Sequence, residues 1–171
     1  MRRIFFIGYM GSGKTTFGRL IAKSQKLLFV DLDEYIEEKY SKSIFTLFDE
    51  VGENQFREIE RDALHEVAPL ENSLIATGGG TPCFYDNMEY MNSVGDTVYL
   101  KATVNELLDR LKLSCNKRPL LSQKTDQELE THITEMLGKR EDYYMRSKYI
   151  LDTKDLNLEN LDSRFLAVFE A

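Results

Sequence analysis

The strongest chemical signal in the chain is a glycine-rich loop near its start. Residues 8–15 read Gly-Tyr-Met-Gly-Ser-Gly-Lys-Thr and match the pattern G-x-x-x-x-G-K-[ST] at every position. Glycines let backbone N–H groups turn toward phosphate oxygens, and the positive end of a following helix faces the same anion. In such a loop Lys14 reaches the β- and γ-phosphates and the Thr15 hydroxyl ligates Mg²⁺. The loop therefore predicts binding of ATP with Mg²⁺ and leaves the acceptor open.

A pair of carboxylates follows the second apolar run of the chain. Asp31 and Asp33 are separated by one residue, and on an extended segment such side chains point the same way. Phosphoryl transfer to an alcohol needs one carboxylate near Mg²⁺ and another that orients or deprotonates the attacking hydroxyl. We expect the two aspartates to divide these roles. The alternative is that Asp33 caps the N-terminus of the following helix, a common use of aspartate.

Two further features could bind an acceptor. Arg57 lies beside the apolar stripe of a predicted helix, where an i,i+4 ion pair with Glu53 is the ordinary alternative. Residues 78–80 are three consecutive glycines at the end of a predicted strand. Such a run allows backbone N–H groups to approach a ligand closely, although a flexible turn would also explain it. Arg140 is ambiguous by itself.

A polar stretch at 114–127 is interpreted as a mobile flap within the domain. An arginine on such a segment, here Arg118, can close over ATP and stabilise charge on the transferred group. A solvated loop arginine is the alternative. His65 and His132 lie in helical patterns without metal-ligand spacing and are interpreted as structural.

Short apolar runs alternate with helical patterns along the whole chain. Strands are predicted at 3–7, 27–32, 73–76, 97–100 and 149–151. Helices are predicted at 15–24, 34–40, 44–50, after Gly52 through 67, and at 104–113, 126–144 and 158–169. This alternation indicates an α/β fold, a parallel sheet covered on both faces. Ligands of such sheets bind beyond the carboxyl ends of the strands.

Composition bounds the remaining possibilities. The 171 residues suit one domain, and the net charge of −7 argues against general affinity for nucleic acid or anionic membranes. The apolar run after Arg2 and Arg3 is too short for a signal peptide or a bilayer span. Two cysteines, Cys83 and Cys115, provide no disulfide framework and fit a reducing compartment. We expect a cytoplasmic protein that acts as a monomer.

The motifs together resemble the shikimate kinase family, nearly end to end. The matching segments are GYMGSGKTT at 8–16, DLDEYIE at 31–37, FREIE at 56–60, TGGG at 77–80, RPLL at 118–121, and Arg140 with Tyr143 and Tyr144. The resemblance implies a nucleoside-monophosphate-kinase-like P-loop fold, a three-layer α/β/α arrangement with five parallel strands in the order 2-3-1-4-5. It also implies a substrate-binding helical region at about 33–61, a lid at about 112–125, and transfer of phosphate from ATP to the 3-hydroxyl of shikimate.

The resemblance assigns roles position by position. The residues expected to cradle ATP are Gly11, Ser12, Gly13, Lys14, Thr15 and Thr16. Those expected to hold shikimate are Asp33, Arg57, Gly79, Gly80 and Arg140, with Asp33 as general base and the two arginines on the carboxylate. Thr15 would bind Mg²⁺ directly and Asp31 would support the metal, while Lys14 and Arg118, the lid arginine, would assist transfer. Arg110 would lie near the adenine.

One segment departs from the family pattern. Many members carry an arginine after the last strand, whereas residues 152–157 of this chain offer only Lys154. This difference concerns the adenine contacts rather than the reaction. The alternatives are a gluconate kinase or another small-metabolite kinase of the same fold, a nucleoside monophosphate kinase, and a nucleotide-dependent binding module without catalysis.

Overall fold

Five short strands form a single parallel sheet. They are β1 (Arg3–Ile7), β2 (Leu28–Asp31), β3 (Ser73–Ala76), β4 (Asp96–Lys101) and β5 (Tyr149–Asp152). Their order is β2-β3-β1-β4-β5 and every neighbouring pair is parallel, which confirms the predicted topology. The structure, a computed structural model, describes residues 2–113, 125–154 and 156–170.

Seven α-helices cover the sheet within the described ranges. They are α1 (Lys14–Ser24), α2 (Leu32–Tyr40), α3 (Ile44–Val67), α4 (Asn87–Val94), α5 (Val104–Leu113), α6 (Asp126–Tyr144) and α7 (Leu161–Ala167). None of them is long and apolar enough to cross a membrane. The region at about 33–61, which the family resemblance implies for substrate binding, contains most of α2 and most of α3. The predicted lid lies almost entirely outside the described residues.

Strand β1 shows why the sheet is central. Its residues alternate between two apolar layers: Ile4 and Phe6 pack in the layer that also contains residues of α1 and α7. Phe5 and Ile7 pack in the opposite layer, which includes residues of α2 through α6. All four side chains are fully buried, and each contributes about 1.5–3 kcal/mol to folding by leaving water. The two layers confirm the three-layer α/β/α architecture.

The boundaries of α2 correct one sequence prediction. The helix begins at Leu32 rather than at 34, because the Asp31 carboxylate accepts hydrogen bonds from the backbone N–H groups of Asp33 and Glu34. Asp31 is therefore the capping residue, and the suggestion that Asp33 caps the helix was wrong. The extended segment that was expected to carry both aspartates ends at Asp31.

The helix α3 spans what the pattern predicted as two helices. The break expected near Gly52 is present as a local kink, with φ of 76° and ψ of 169° at that glycine. Side chains rarely adopt this left-handed region of φ, so glycine is the residue that accommodates it. The two helical parts on either side of Gly52 correspond to the two helices that the sequence predicted.

Two elements differ more strongly from expectation. The short turn of 3₁₀ helix at Thr81–Cys83 and the helix α4 after it were not predicted. The helix α7 is shorter than predicted, because the Asn157 side chain accepts hydrogen bonds from the backbone of Glu159 and Asn160 and holds that stretch in a turn. Asn and Asp side chains commonly stabilise such turns in place of a helix.

Candidate active site

The glycine-rich loop joins β1 to α1 and curves around a buried ammonium group. Lys14 is only 8% exposed. Its Nζ donates hydrogen bonds to the carbonyl oxygens of Gly8 at 2.7 Å and of Tyr9 at 2.9 Å. The N-terminus of α1 opens at the same place, so a fixed charge and a helix end lie at one anion-binding point.

A pocket of about 400 Å³ opens over this loop. It lies beyond the carboxyl ends of β1, β2 and β3, where parallel sheets usually bind ligands. Its lining residues are Met10, Gly11, Gly13, Lys14, Thr15, Thr16, Phe17, Asp31, Asp33, Thr77, Gly79 and Arg110. Most residues that sequence patterns proposed for the nucleotide and metal are thus in one cavity. Ser12, within the loop, is buried, and its hydroxyl has no hydrogen-bond partner among the described residues.

Thr15 and Asp31 form a pair of hard oxygen donors at the pocket wall. The Thr15 hydroxyl donates to Asp31 Oδ2 at 2.6 Å, while Asp31 Oδ1 caps α2. Within the described residues no group of three or more His, Cys, Asp or Glu side chains could hold a metal. That is compatible with Mg²⁺ at a phosphate loop, where nucleotide oxygens and water supply most ligands. Hydroxyl and carboxylate oxygens fit that cation.

Asp33 reaches the same pocket from the first turn of α2 rather than from the strand. Its side chain is partly buried and accepts no hydrogen bond from the described residues. Burial raises the pKa of Asp33 from 3.8 to about 6, and the negative charges of Asp31 and Glu60 add to that increase, while Lys14 opposes it. A carboxylate with a pKa near 6 suits a general base at neutral pH.

Arg57 is buried beside the glycine segment. Nη1 contacts Glu60 at 2.9 Å and Nη2 contacts Glu53 at 3.3 Å, so the predicted pair with Glu53 exists but is the longer of the two. The guanidinium also lies 4.2 Å from the centre of the Phe84 ring. Arg57 Nε is buried without a hydrogen-bond partner among the described residues.

The glycine segment fits closely between two guanidinium groups. A Cβ at Gly80 would lie 2.6 Å from Arg57 Nη1, a distance that real Cβ atoms do not adopt. A Cβ at Gly79 would lie 3.5 Å from Arg140 Nη1. A side chain at position 80 would therefore force the Arg57 guanidinium to shift, so close approach to Arg57 is a better explanation for this glycine than a flexible turn. Burial raises the pKa of the nearby Cys83 thiol to about 11 despite both arginines, so this group stays a thiol.

Arg110 connects α5 to the phosphate loop. Its Nη1 donates to the carbonyl oxygen of Ser12 and to Thr153 Oγ1, both at 3.3 Å, and Nη2 pairs with Glu106. The residue also lines the pocket that contains Asp33. Thr153 was not predicted from the sequence as part of the site. Arg118 lies outside the described residues, and its role stays a prediction.

Sequence patterns also missed the residues that support the arginines. Glu60 is 1% exposed and accepts hydrogen bonds from Arg57 and from Thr81 Oγ1 at 2.6 Å. The i,i+3 spacing of Arg57 and Glu60 on a helix was the available signal. No sequence signal pointed to Phe84, because it is distant from Arg57 in the chain and the two side chains come into contact only in the folded protein.

Comparisons with known proteins agree with this geometry. The family model for shikimate kinase matches residues 10–170. The shikimate kinase of Parabacteroides distasonis is 50% identical over 160 residues, which cover 94% of this chain and 92% of the relative. The crystal structure of shikimate kinase from Bacteroides thetaiotaomicron has a TM-score of 0.94 at 46% identity, covering 99% of this chain and 97% of that one. Shikimate kinase from Acinetobacter baumannii, solved in complex with shikimate, has a TM-score of 0.84 at 30% identity, covering 99% and 92%.

Proposed function

The chain belongs to the shikimate kinase family, and we propose how its pocket transfers the γ-phosphoryl group of ATP to the 3-hydroxyl of shikimate. The products are ADP and shikimate 3-phosphate. The observation that carries the proposal is the position of Asp33. Its carboxyl lies in the pocket of the phosphate loop and beside the glycine segment that the two guanidinium groups flank.

The loop and the start of α1 bind the triphosphate. Backbone N–H groups of 11–16 cradle the phosphates, and Lys14 exchanges its two carbonyl partners for β- and γ-phosphate oxygens. Thr15 binds Mg²⁺ and Asp31 supports it; the cation, when bound, offsets negative charge on the phosphates. Arg110, which lines the same pocket, is the residue that we expect near the adenine.

Asp33 holds and activates the acceptor. The shikimate hydroxyl gives its proton to the Asp33 carboxylate as its oxygen forms a bond to the γ-phosphorus. The bond between that phosphorus and the β,γ-bridging oxygen breaks, and ADP leaves with the electron pair. With a pKa of about 6, Asp33 is ionised at neutral pH and ready to accept the proton.

Arg57 and Arg140 bind the carboxylate of shikimate. Guanidinium groups match a planar carboxylate through paired N–H donors, and Arg57 Nε, which has no hydrogen-bond partner among the described residues, is one such donor. Because Arg57 is already paired with Glu53 and Glu60, Arg140 supplies the positive charge that attracts an anion to a chain with a net charge of −7. Gluconate carries a carboxylate too, so these arginines alone do not separate the two acceptors; membership of the shikimate kinase family favours shikimate.

Two parts of the proposal rest on the sequence. We infer that Arg118, within 114–124, closes over ATP as a lid arginine. We also infer a cytoplasmic monomer, which the acidic composition and the cysteine content support. Hydrogen exchange of 114–124 with and without nucleotide tests the lid, and sedimentation tests the monomer.

A side-by-side acceptor assay tests the function. Purified protein with Mg²⁺ and ATP is offered shikimate, gluconate and nucleoside monophosphates separately, and ADP release is followed with a coupled reaction. We expect turnover with shikimate and rates at background level with the others. Rapid phosphorylation of another acceptor, with shikimate left unchanged, would overturn the assignment.

A further inference from the structure

The last residue of α6, Tyr144, makes a contact that the proposed reaction has not used. Its side chain is fully buried, and its ring packs against Tyr99 with 5.1 Å between ring centres. The Tyr144 hydroxyl donates a hydrogen bond of 2.6 Å to the carbonyl oxygen of Gly79. Sixty-five positions separate these residues in the chain, so the fold alone brings them together.

The hydroxyl is a permanent donor. Burial is the main cause that raises the pKa of Tyr144 far above its usual range, and it outweighs the nearby Arg140 guanidinium, which acts in the opposite direction. The phenol therefore keeps its proton at neutral pH and can donate the hydrogen bond to Gly79.

The hydrogen bond to Gly79 also orients the next peptide group. In a trans peptide the carbonyl of one residue and the N–H of the following residue point in opposite directions, and none of the described peptide bonds is cis. A Gly79 carbonyl held toward α6 therefore turns the N–H of Gly80 away from α6. Gly80 is buried, and its N–H has no hydrogen-bond acceptor among the described residues.

A buried donor without an acceptor is costly unless a ligand satisfies it. Gly80 is also the residue that packs directly on Arg57. Three consecutive glycines have many accessible backbone conformations. A specific contact is therefore needed to keep residues 78–80 in the conformation that exposes the Gly80 N–H to a ligand. Among the described side chains, the Tyr144 hydroxyl is the group that donates a hydrogen bond to this segment, at the carbonyl oxygen of Gly79.

We propose that Tyr144 is a positioning residue for the acceptor: through the Gly79 carbonyl it holds the Gly80 N–H in place to donate to shikimate. This inference rests on the proposed function, because it takes shikimate as the ligand at Gly79 and Gly80. It predicts an effect on acceptor binding that is larger than any effect on ATP.

The test is Tyr144→Phe, which removes one oxygen atom and keeps the buried ring. We expect the KM for shikimate to rise roughly 3- to 10-fold, as for loss of one hydrogen bond. The KM for ATP should stay within about twofold, and the Kd for shikimate measured by calorimetry without nucleotide should rise with the KM. Unchanged shikimate KM and Kd would refute the positioning role. An equal loss toward both substrates would also refute it, because general damage to the fold produces that pattern.

Tyr99→Phe is the matched control. Tyr99 is equally buried, lies against the same ring, and its hydroxyl makes no hydrogen bond to the described residues. We expect its kinetic constants and thermal midpoint to equal those of the wild type. A shikimate-specific loss in this variant as large as that of Tyr144→Phe would assign the effect to the aromatic pair and contradict the inference.

Arg140 is close to the same hydroxyl, so a double-mutant cycle separates the two routes. If Tyr144 acts through Gly79, its effect on shikimate KM persists in an Arg140→Lys background and the two losses combine independently. If the effect disappears in that background, Tyr144 acts through Arg140 and the proposed route is wrong. Wild-type protein that phosphorylates shikimate while Tyr144→Phe behaves normally defeats this inference alone; wild-type protein that ignores shikimate defeats the proposed function.

Discussion

Replacing Asp33 with asparagine should remove activity and, at the same time, stabilise the protein. The carboxyl lies in the first turn of α2, in partly buried surroundings near Asp31 and Glu60. It accepts no hydrogen bond from the described residues, so asparagine of the same shape chiefly removes a charge. Asparagine also cannot act as the proposed general base, so kcat should fall by about 10²-fold or more.

The size of the stabilisation follows from the pKa of Asp33. Its increase from 3.8 to about 6 corresponds to about 3 kcal/mol. Because the folded protein binds this proton more tightly than the unfolded chain does, stability falls as pH rises from 3.8 through about 6. The substituted amide carries no charge at any pH, so the Asp33→Asn variant should exceed the wild type by about 3 kcal/mol at pH 7.5 and by about half of that at pH 5.

Urea unfolding at the two pH values measures this difference directly. Thermal midpoints at pH 7.5 should differ by roughly 6–12 °C in favour of Asp33→Asn, as expected for a chain of this size. Asp62→Asn, at an exposed position of α3, is the matched control and should change neither quantity. If Asp33→Asn is no more stable than the wild type at pH 7.5, or if its advantage does not shrink toward pH 5, the reasoning about a disfavoured buried charge fails.

Three other substitutions probe the anion-binding groups. Lys14→Ala should lower kcat by about 10²- to 10³-fold because a preorganised cation at the phosphates is lost. The control Lys23→Ala, on the exposed face of α1, should have the kcat of the wild type. Near-normal turnover of Lys14→Ala would show that this lysine has no part in the mechanism. Arg57→Lys should raise the KM for shikimate about tenfold and leave that for ATP within about twofold, since an ammonium cannot replace a fork of N–H donors; the reverse selectivity would move Arg57 out of the acceptor site. Gly80→Ala should also weaken shikimate binding, because its Cβ would meet Arg57 Nη1 at 2.6 Å. The control Gly138→Ala, whose Cβ would have no atom within 4 Å, should bind shikimate as the wild type does. If calorimetry gives Gly80→Ala the same Kd for shikimate as the wild type, the steric argument is wrong.

Elements encoded by contiguous residues were predictable. The phosphate loop is one unbroken stretch whose glycines and lysine act within a few residues of one another, and it lies between β1 and α1 as expected. The inner strands β1, β3 and β4 were recognisable as apolar runs because a sheet covered on both faces buries nearly all of their side chains, whereas the edge strands β2 and β5 are more exposed. The helix α4 was missed because eight residues with a weak pattern give little signal.

The aspartate pair shows where local reasoning was insufficient. Both carboxylates were expected on one extended segment, and both do line the pocket, but only because the chain turns into α2 between them. The cap that Asp31 forms on α2 determines where the strand ends, and competition between strand and helix at such a boundary depends on tertiary packing.

By itself the sequence determined the fold class and the family, because these depend on periodicity and on short contiguous motifs, and it predicted the chemistry at the phosphates from one loop. Only the tertiary structure decided how the acceptor side is assembled: Arg57 held by Glu60 against Gly80, and Tyr144 bonded to Gly79 across 65 positions. The physical reason is that burial determines the pKa values of these polar groups and the free-energy penalty of leaving them without hydrogen-bond partners. Burial is a property of what the whole chain packs around a residue, and neighbours in sequence do not specify it.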